Sequence, residues 1–332
     1  MCIFSIETSC DDTCFTVHNF KHGVLFEKVY KQSYIHTRFK GVVPNIALSE
    51  HKQGIQLLYT MLNLSSYRIC YVAYTQGPGL FGSLSMGISF AKAFSYFLNV
   101  KSININHLEG HILSIFLTFK FLTFPYLTLL VSGGHTFLVY VRCLYKYVIL
   151  GMSLDDSVGE SFDKIACFLG LGYPGGPSLE CNLYKTSTCY YSLKSPRPLF
   201  TNTSFNFSFS GVKTSIRNQY LVKKEFCILG VSLEFHKVVF DIIANKVLLA
   251  IKYTNVKNLV IVGGVAANSF LCSRISYILR EHNISVFSPA VKYCTDNSAM
   301  IALVGYMKTS QYMDTDLNFT INPSSNLDLS RV

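Results

Sequence analysis

Two parts of the sequence repeat one pattern of apolar and polar segments. In the first, Cys2–Glu7 and residues 13–18 are apolar runs separated by a short polar stretch. In the second, Tyr126–Val131 and residues 136–141 are separated by residues 132–135, SGGH. Short apolar runs with small polar residues between them are typical of β-hairpins. The sequence therefore predicts two hairpins with polar bends.

Each predicted hairpin is followed downstream by an apolar strand, a glycine turn and a helix. These segments are 69–75, 76–79 and 84–98 after the first hairpin, and Asn258–Val262, 263–265 and 267–280 after the second. Such a repeat predicts a duplicated α/β unit. We expect two lobes around a cleft lined by the polar bends and glycine turns.

Glycine turns of this kind are suited to a phosphate-bearing ligand. Glycine allows backbone amides to approach phosphate closely, and a helix that follows offers its positive N-terminus. Isolated Gly-Gly and Gly-Pro pairs are more often ordinary turns. Here the repeating order of the turns favours a cleft that binds a phosphate-bearing ligand.

Two histidines lie four residues apart in NHLEGH, residues 106–111. In a helix, His107 and His111 would share one face and could bind one metal ion. Asp296, before an apolar segment, offers a third ligand, although an aspartate there could also cap a helix. Two surface histidines are the simpler alternative. Two histidines and a carboxylate suit iron or zinc, with iron favoured.

The composition is typical of a folded chain and has an excess of basic over acidic residues. Half of the 332 residues are hydrophobic and 14% are charged, which excludes a disordered or fibrous class. The 29 Lys and Arg against 19 Asp and Glu give a net charge of +10. This excess favours a polyanionic partner such as nucleic acid, but compositional drift would also produce it.

The cysteines and the N-terminus predict a cytoplasmic protein. The 11 cysteines form no CxxC pair, which favours reduced thiols over disulfides. Glu7, Asp11 and Asp12 lie where a secretory signal would be apolar, and no Lys or Arg precedes the first apolar residues. Lys120 and Pro125 interrupt the longest apolar stretch, so no membrane span is predicted.

Ten motifs then occur in order along residues 1–305. They are SIETSCDDT (5–13), GVVPNIALSEH (41–51), QGPGLFGSL (76–84), NHLEGH (106–111), LLVSGGHT (129–136), DDSVGESFDK (155–164), LGYPGGP (171–177), FSFSGVKT (207–214), GGVAANSFL (263–271) and CTDNSAMIA (294–302). Together they resemble the universal tRNA N6-adenosine threonylcarbamoyltransferase family, formerly described as O-sialoglycoprotein endopeptidases.

The resemblance implies a duplicated actin-like, sugar-kinase-like ATPase fold with two lobes around a nucleotide cleft. We expect an N-terminal lobe over residues 1–107, a C-terminal lobe with inserted loops over 108–305, and a tail over 306–332. The implied reaction moves an L-threonylcarbamoyl group from threonylcarbamoyl-AMP to the N6 amine of adenosine 37. The implied substrates are tRNAs that read codons beginning with A.

The resemblance also implies the site residues. One divalent metal ion per subunit would be bound by His107, His111 and Asp296. The acyl-adenylate would be held by Leu130, Val131, Ser132, Gly133, Gly134, Asp163, Gly176, Glu180 and Asn268. No residue is implied as general base.

Partners implied by the resemblance are tRNA, an inactive homologue that dimerises with the enzyme, and a small P-loop ATPase. The sequence departs from the family pattern at Asp12, Lys40, Asn45 and Ser49. These departures leave open an alternative, a non-catalytic nucleotide-binding partner protein of the same fold. A metalloprotease is less favoured, because Glu does not directly follow His107 as it does in zincins.

Overall fold

A computed structural model describes residues 1–184, 193–222, 227–309, 321–324 and 329–331 of the chain. It contains two compact units. The first comprises residues 1–120 and a helix near the C-terminus, and the second comprises residues 121–295 and a short final strand. The predicted lobe boundaries, 1–107, 108–305 and 306–332, differ from the limits of these two units. The division into lobes stays a prediction.

Unit 1 is built on one mixed sheet. Its elements are β1 (Cys2–Glu7), β2 (Asp12–Asn19), β3 (Gly23–Lys31), α1 (Ser33–His36), α2 (Pro44–Met61), β4 (Ile69–Gly77), α3 (Phe81–Leu98), β5 (Lys101–Asn106), α4 (His107–Leu113) and α10 (Ser298–Thr309). The strand order is β3-β2-β1-β4-β5, with β1, β4 and β5 parallel and β1, β2 and β3 antiparallel.

Unit 2 repeats this arrangement. Its elements are β6 (Tyr126–Val131), β7 (Thr136–Cys143), β8 (Lys146–Met152), α5 (Val158–Phe168), α6 (Gly175–Leu183), α7 (Ser210–Val222), α8 (Ile228–Thr254), β9 (Asn258–Val262), α9 (Ser269–Arg280), β10 (Ser285–Phe287) and β11 (Leu329–Arg331). The strand order β10-β9-β6-β7-β8-β11 has the same pairing directions around β6 as unit 1 has around β1. The predicted duplication is therefore confirmed.

Short 3₁₀ helices connect several elements. They are Thr37–Phe39, Leu64–Ser66, Ser114–Leu117, Gly264–Ala267 and Val291–Tyr293. Both predicted hairpins are confirmed, but each continues into a third antiparallel strand, β3 or β8, that the sequence analysis did not identify.

The core of unit 1 lies against both faces of its sheet. On one face, the Phe4 ring packs edge to face against the rings of Phe15 and Phe94, and α2 and α3 cover this cluster. On the other face, α10 lies against β1 and β2. Gly305 of α10 makes this approach close, because an added Cβ would lie 2.7 Å from Ile3. The strand β1 is consequently buried along its whole length, as its continuous apolar run requires.

No helix in the described part of the chain is both long enough and apolar enough to cross a bilayer. The apolar stretch before Val131 is divided between the end of one 3₁₀ helix and the buried strand β6, as predicted from Pro125.

Candidate functional site

His107 and His111 occupy successive turns of a short helix in unit 1. The helix α4 begins directly after β5, and the Asn106 side chain caps it by accepting the backbone N–H groups of Leu108 and Glu109. This start places the two imidazole rings edge to face, with centroids 4.6 Å apart. The helical spacing expected from the sequence is present.

Asp296 brings a carboxylate to the same point from the segment before α10. Its Oδ1 lies 3.1 Å from Nε2 of His111 and 3.6 Å from Nε2 of His107. Both histidines are buried, whereas 27% of the Asp296 side chain is exposed. The structure therefore brings together all three residues proposed from the sequence as metal ligands.

Glu7 lies behind His107 and was not identified from the sequence. It ends β1, is fully buried, and accepts hydrogen bonds from the backbone N–H of Ser9 and the hydroxyl of Thr75. Its Oε2 also lies 3.2 Å from Nδ1 of His107. A carboxylate on the far nitrogen of a histidine fixes the ring and raises its basicity as a metal ligand. An acidic residue closing a fully apolar strand was the signal available in the sequence.

The charges at this site perturb the histidines in opposite directions. Burial lowers the pKa of His107, but the Glu7 and Asp296 carboxylates outweigh burial and raise it to about 9. Burial lowers the pKa of His111, and neighbouring His107 adds to that effect. Burial, together with the charges of Asp11 and Asp296, raises the pKa of Asp12 to about 7. This end of the sheet has an excess of negative charge that a cation would neutralise.

The residues fit a divalent metal ion. One ligand atom from each of His107, His111 and Asp296 can be chosen so that all lie within 4.8 Å of one another, and no other such group of histidine, cysteine or acidic residues occurs among the described residues. The buried Nδ1 of His111 has no hydrogen-bond partner in the described structure. Two imidazoles and a carboxylate are a donor set that iron and zinc both accept.

In unit 2, the bend after β6 leaves open space above two glycines. A Cβ added to Gly133 or Gly134 would meet no atom within 4 Å. Ser132 uses its amide and its hydroxyl inside the bend, in hydrogen bonds with the backbone of His135. The amides of Gly133 and Gly134 form no hydrogen bond with the described residues, so these two, and not the Ser132 amide, are suited to a phosphate.

Helix α5 supports this bend closely. Its cap residue Ser157 donates its hydroxyl to the Gly133 carbonyl at 2.5 Å. A Cβ on Gly159 would lie 2.5 Å from the Ser132 carbonyl oxygen. Leu130 and Val131 have no exposed surface and pair with β7 inside the sheet, so they support the bend from within β6. The bend is thus packed against the start of α5 on one side and has open space at Gly133 and Gly134 on the other.

Three of the other proposed nucleotide residues act at helix N-termini. Asp163 accepts the backbone N–H of Gly175, at the start of α6, at 2.7 Å. Glu180 accepts from the backbone N–H and hydroxyl of Ser269 at 2.8 and 2.7 Å, at the start of α9. Asn268 caps the same helix by accepting the N–H of Leu271 at 2.8 Å. Their contacts join α5, α6 and α9 within unit 2.

Gly176 completes the residues that the resemblance implies for the acyl-adenylate, and Lys213 lies in the FSFSGVKT motif. Gly176 has open space where a Cβ would lie, whereas Lys213 pairs with Asp156 at 2.5 Å. Lys164, which directly follows Asp163, pairs with Asp156 and Glu160 at 2.6 and 2.8 Å. Asp156 therefore ties α5 to α7.

Comparison with known proteins decides the family. A family model described as TsaD, tRNA N6-adenosine threonylcarbamoyltransferase, matches residues 23–303. A protein of that name from Buchnera aphidicola subsp. Baizongia pistaciae is 41% identical over 340 residues, covering 100% of this chain and 99% of its own. Another from Caldicellulosiruptor saccharolyticus is 42% identical over 316 residues, covering 93% of both chains.

The chain belongs to the tRNA N6-adenosine threonylcarbamoyltransferase family.

Solved structures confirm the fold expected for this family. The HypF protein of T. kodakarensis matches with a TM-score of 0.62 and 14% identity, over 95% of this chain and 48% of its own. The activator of 2-hydroxyisocaproyl-CoA dehydratase from Clostridium difficile matches with a TM-score of 0.55 and 15% identity, over 96% and 100%. The fold is α/β and of the duplicated actin-like, sugar-kinase-like class.

Three of the four departures from the threonylcarbamoyltransferase pattern lie on the surface of unit 1, whereas the fourth, Asp12, is half-buried. Asn45 and Ser49 are exposed on α2. Lys40, which replaces the usual glycine, has a φ of 58°, a left-handed conformation that glycine adopts at lower cost. This conformation explains why glycine is suited to the position.

Proposed function

We propose that this chain transfers the L-threonylcarbamoyl group from threonylcarbamoyl-AMP to the N6 amine of adenosine 37 in tRNAs that read codons beginning with A. The observation that carries the proposal is the family match over residues 23–303, which contains every proposed metal and nucleotide residue. The geometry supports the proposal through the His107, His111 and Asp296 group and the open bend at Gly133 and Gly134.

In the proposed reaction, the N6 amine forms a bond to the carbamoyl carbon of the mixed anhydride. The bond between that carbon and the phosphate oxygen breaks, so AMP leaves and the amine loses a proton. The chain must hold the phosphate and keep the adenylate oriented while a weak nucleophile attacks. Backbone N–H groups that point at developing negative charge serve both needs without reorganisation.

Residues of unit 2 are assigned to the adenylate. The amides of Gly133 and Gly134 would bind the phosphate, and Gly176 would allow the ligand to approach the backbone. Asp163 and Glu180 would accept hydrogen bonds from the ribose, in addition to holding the starts of α6 and α9. Asn268 would hydrogen-bond the nucleotide or the acyl group.

Residues of unit 1 are assigned to one divalent metal ion per subunit, with iron favoured over zinc. His107, His111 and Asp296 would hold it, and Glu7 would fix the His107 ring. When bound, such an ion supplies Lewis-acid polarisation of an oxygen and a fixed point for orienting the reactants. The excess of carboxylates at this point supports a cation.

The proposed partners are tRNA, an inactive homologue that dimerises with the chain, and a small P-loop ATPase, and the proposed location is the cytoplasm. The net charge of +10 supports a tRNA contact. Such binding should weaken with salt, at a slope in log affinity against log salt of roughly 0.7–0.9 per phosphate contact. We expect the purified chain alone to be nearly inactive.

Mass analysis of tRNA nucleosides tests the function. Cells depleted of the protein should lose threonylcarbamoyladenosine, and the unaltered gene should restore it. Complementation by a His111→Ala variant is the matched control, because it separates transfer from mere presence of the chain. Normal nucleoside levels in depleted cells, or full rescue by His111→Ala, would contradict the proposal.

A further inference from the structure

His236 is a fully buried side chain of α8 that the proposed mechanism does not use. Its Nδ1 lies 2.7 Å from the carbonyl oxygen of Ser232, and its Nε2 lies 3.1 Å from Nδ2 of Asn268. Because a carbonyl oxygen only accepts, Nδ1 must carry the hydrogen. Nε2 then has a lone pair, which accepts a hydrogen bond from the Asn268 amide.

The other end of the Asn268 amide is fixed independently. Its Oδ1 accepts the backbone N–H of Leu271 at 2.8 Å and so caps α9. Only one orientation of the amide satisfies both Leu271 and His236. In that orientation, the second hydrogen on Nδ2 forms no hydrogen bond with the described residues. It is the donor that a ligand at Asn268 would use.

The His236 ring also touches the neighbouring elements that carry nucleotide residues. It packs edge to face against Phe162, with centroids 4.9 Å apart, and Phe162 directly precedes Asp163 on α5. On its other side it packs against Phe270, with centroids 5.6 Å apart, in the first turn of α9. One side chain thus contacts the elements that hold Asp163 and Asn268.

The protonation state of His236 agrees with this arrangement. Burial lowers its pKa, although the hydrogen bond to Ser232 and the charge of Glu180 act in the opposite direction. The ring is therefore neutral near pH 7. A doubly protonated ring would direct an N–H at the Asn268 amide and break the contact.

We propose that His236 is a positioning residue for the acyl-adenylate site, which holds the Asn268 amide so that its oxygen caps α9 and its second N–H faces the ligand. This inference rests on the proposed function, because Asn268 is assigned there to the acyl-adenylate. His236 itself touches no substrate atom in this assignment. It acts through one acceptor atom, Nε2.

The decisive variants differ in that acceptor. His236→Leu fills the space with an apolar side chain but removes the Nε2 acceptor, whereas His236→Gln offers an amide oxygen as a replacement acceptor. With the full chain and a non-hydrolysable threonylcarbamoyl-adenylate analogue, we expect His236→Leu to weaken binding about 5- to 150-fold, the effect of leaving one buried donor without an acceptor. His236→Gln should restore most of the affinity.

A double-mutant cycle separates positioning from general support of the fold. In an Asn268→Ala background, His236→Leu should weaken analogue binding no further, because the group on which it acts is gone. Equal losses in both backgrounds would overturn the inference. The matched control is His18→Leu, a buried histidine of β2 in unit 1, which should leave analogue affinity unchanged.

The tautomer gives a readout that needs no ligand. In ¹⁵N spectra of the unmodified chain, the resonances absent from His236→Gln should show a neutral ring protonated at Nδ1. A ring protonated at Nε2 would overturn the inference even if the Leu variant failed to fold. If the unmodified chain did not bind the analogue, the proposed function would fail, and the tautomer would still decide whether His236 orients Asn268.

Discussion

The proposed metal site of unit 1, with His107, His111 and Asp296, and the proposed nucleotide site of unit 2, around Gly133 and Gly134, are constructed in different ways. In unit 1, side chains from three separate elements converge, and the histidines and Glu7 are almost fully buried. In unit 2, open backbone at Gly133 and Gly134 is combined with acidic side chains that already accept hydrogen bonds from helix N-termini. The first group depends on charge, and the second depends on backbone shape.

This difference has an electrostatic consequence. The carboxylates near His107 and Asp296 crowd one another, and the pKa of Asp12 rises to about 7 through burial and that crowding. In unit 2, Asp155 and Asp156 are solvated by hydroxyl, amide and lysine donors, which lower their pKa values against the effect of burial. Uncompensated negative charge is therefore a feature of the unit 1 site, whereas Asp155 and Asp156 of unit 2 are compensated by nearby donors.

The largest effect is expected from His111→Ala. Removing one of three ligands should abolish stoichiometric metal and nearly all transfer. The fold should persist, because α4 and its Asn106 cap do not depend on the ring. Metal analysis of the purified variant, with circular dichroism as the check on folding, tests this expectation. Full metal occupancy would show that the ligand assignment is wrong.

Asp163→Asn should have the next largest effect, on the unit 2 side of the comparison. An amide oxygen can still accept the Gly175 N–H, so the variant should melt near the unaltered chain. Loss of a charge-assisted bond to the ribose should cost about 1.5–3 kcal/mol, roughly ten- to more than a hundredfold in affinity. Calorimetry with the acyl-adenylate analogue measures it. Normal affinity would make Asp163 a purely structural residue.

A pair of glycine variants sharpens the contrast within unit 2. Gly159→Ala should destabilise the chain by about 1–3 kcal/mol, because its Cβ would meet the Ser132 carbonyl at 2.5 Å. Gly133→Ala has open space and should change the melting temperature little, yet it should reduce analogue binding by filling the proposed phosphate position. Equal melting of the two variants would contradict the described support of the bend.

Much of the fold could be predicted because it is encoded locally. The hairpins, the strand Asn258–Val262 and the repeat order follow from apolar runs and glycine turns, and the structure confirms them. The strand β3 was missed because its apolar and polar residues do not alternate regularly and three of its side chains, Glu27, Lys28 and Lys31, are charged. Its pairing with β2 decides its structure, and sequence alone does not show such pairing.

The site was predicted less completely, for a related reason. His107 and His111 are close in sequence, so helical spacing revealed them. Glu7 is one hundred residues from His107 in the sequence, and its position behind the ring depends on the β1 and β5 strands lying in one sheet. His236 stands outside every motif, and only tertiary packing places it beside Asn268. His236 therefore had no local sequence signal, whereas Glu7 had only that of an acidic residue at the end of an apolar strand.

The smallest effect is expected from Asp156→Asn in unit 2, and its effect on stability has the opposite sign to that of Asp12→Asn in unit 1. Burial raises the pKa of Asp156, but its hydrogen bonds to Lys164 and Lys213 outweigh burial and lower it. A carboxyl whose pKa is lowered on folding stabilises the chain above the unfolded pKa, near 4, and that stabilisation is lost as pH falls through the folded pKa. Asp156→Asn should therefore lower the free energy of unfolding by about 1 kcal/mol at pH 7, with the difference narrowing below pH 4.

Asp12 supplies the opposite case for the same measurement. Its pKa is raised to about 7, so in chelator-treated protein its ionisation destabilises the folded state as pH rises from about 4 to 7. Asp12→Asn should make the metal-free chain more stable than the unaltered chain at pH 8, whereas Asp156→Asn should make it less stable. Thermal melting of the three proteins between pH 4 and 8 measures both signs. If both variants shifted stability in the same direction, the contrast between the crowded Asp12 carboxylate of unit 1 and the compensated Asp156 carboxylate of unit 2 would be wrong.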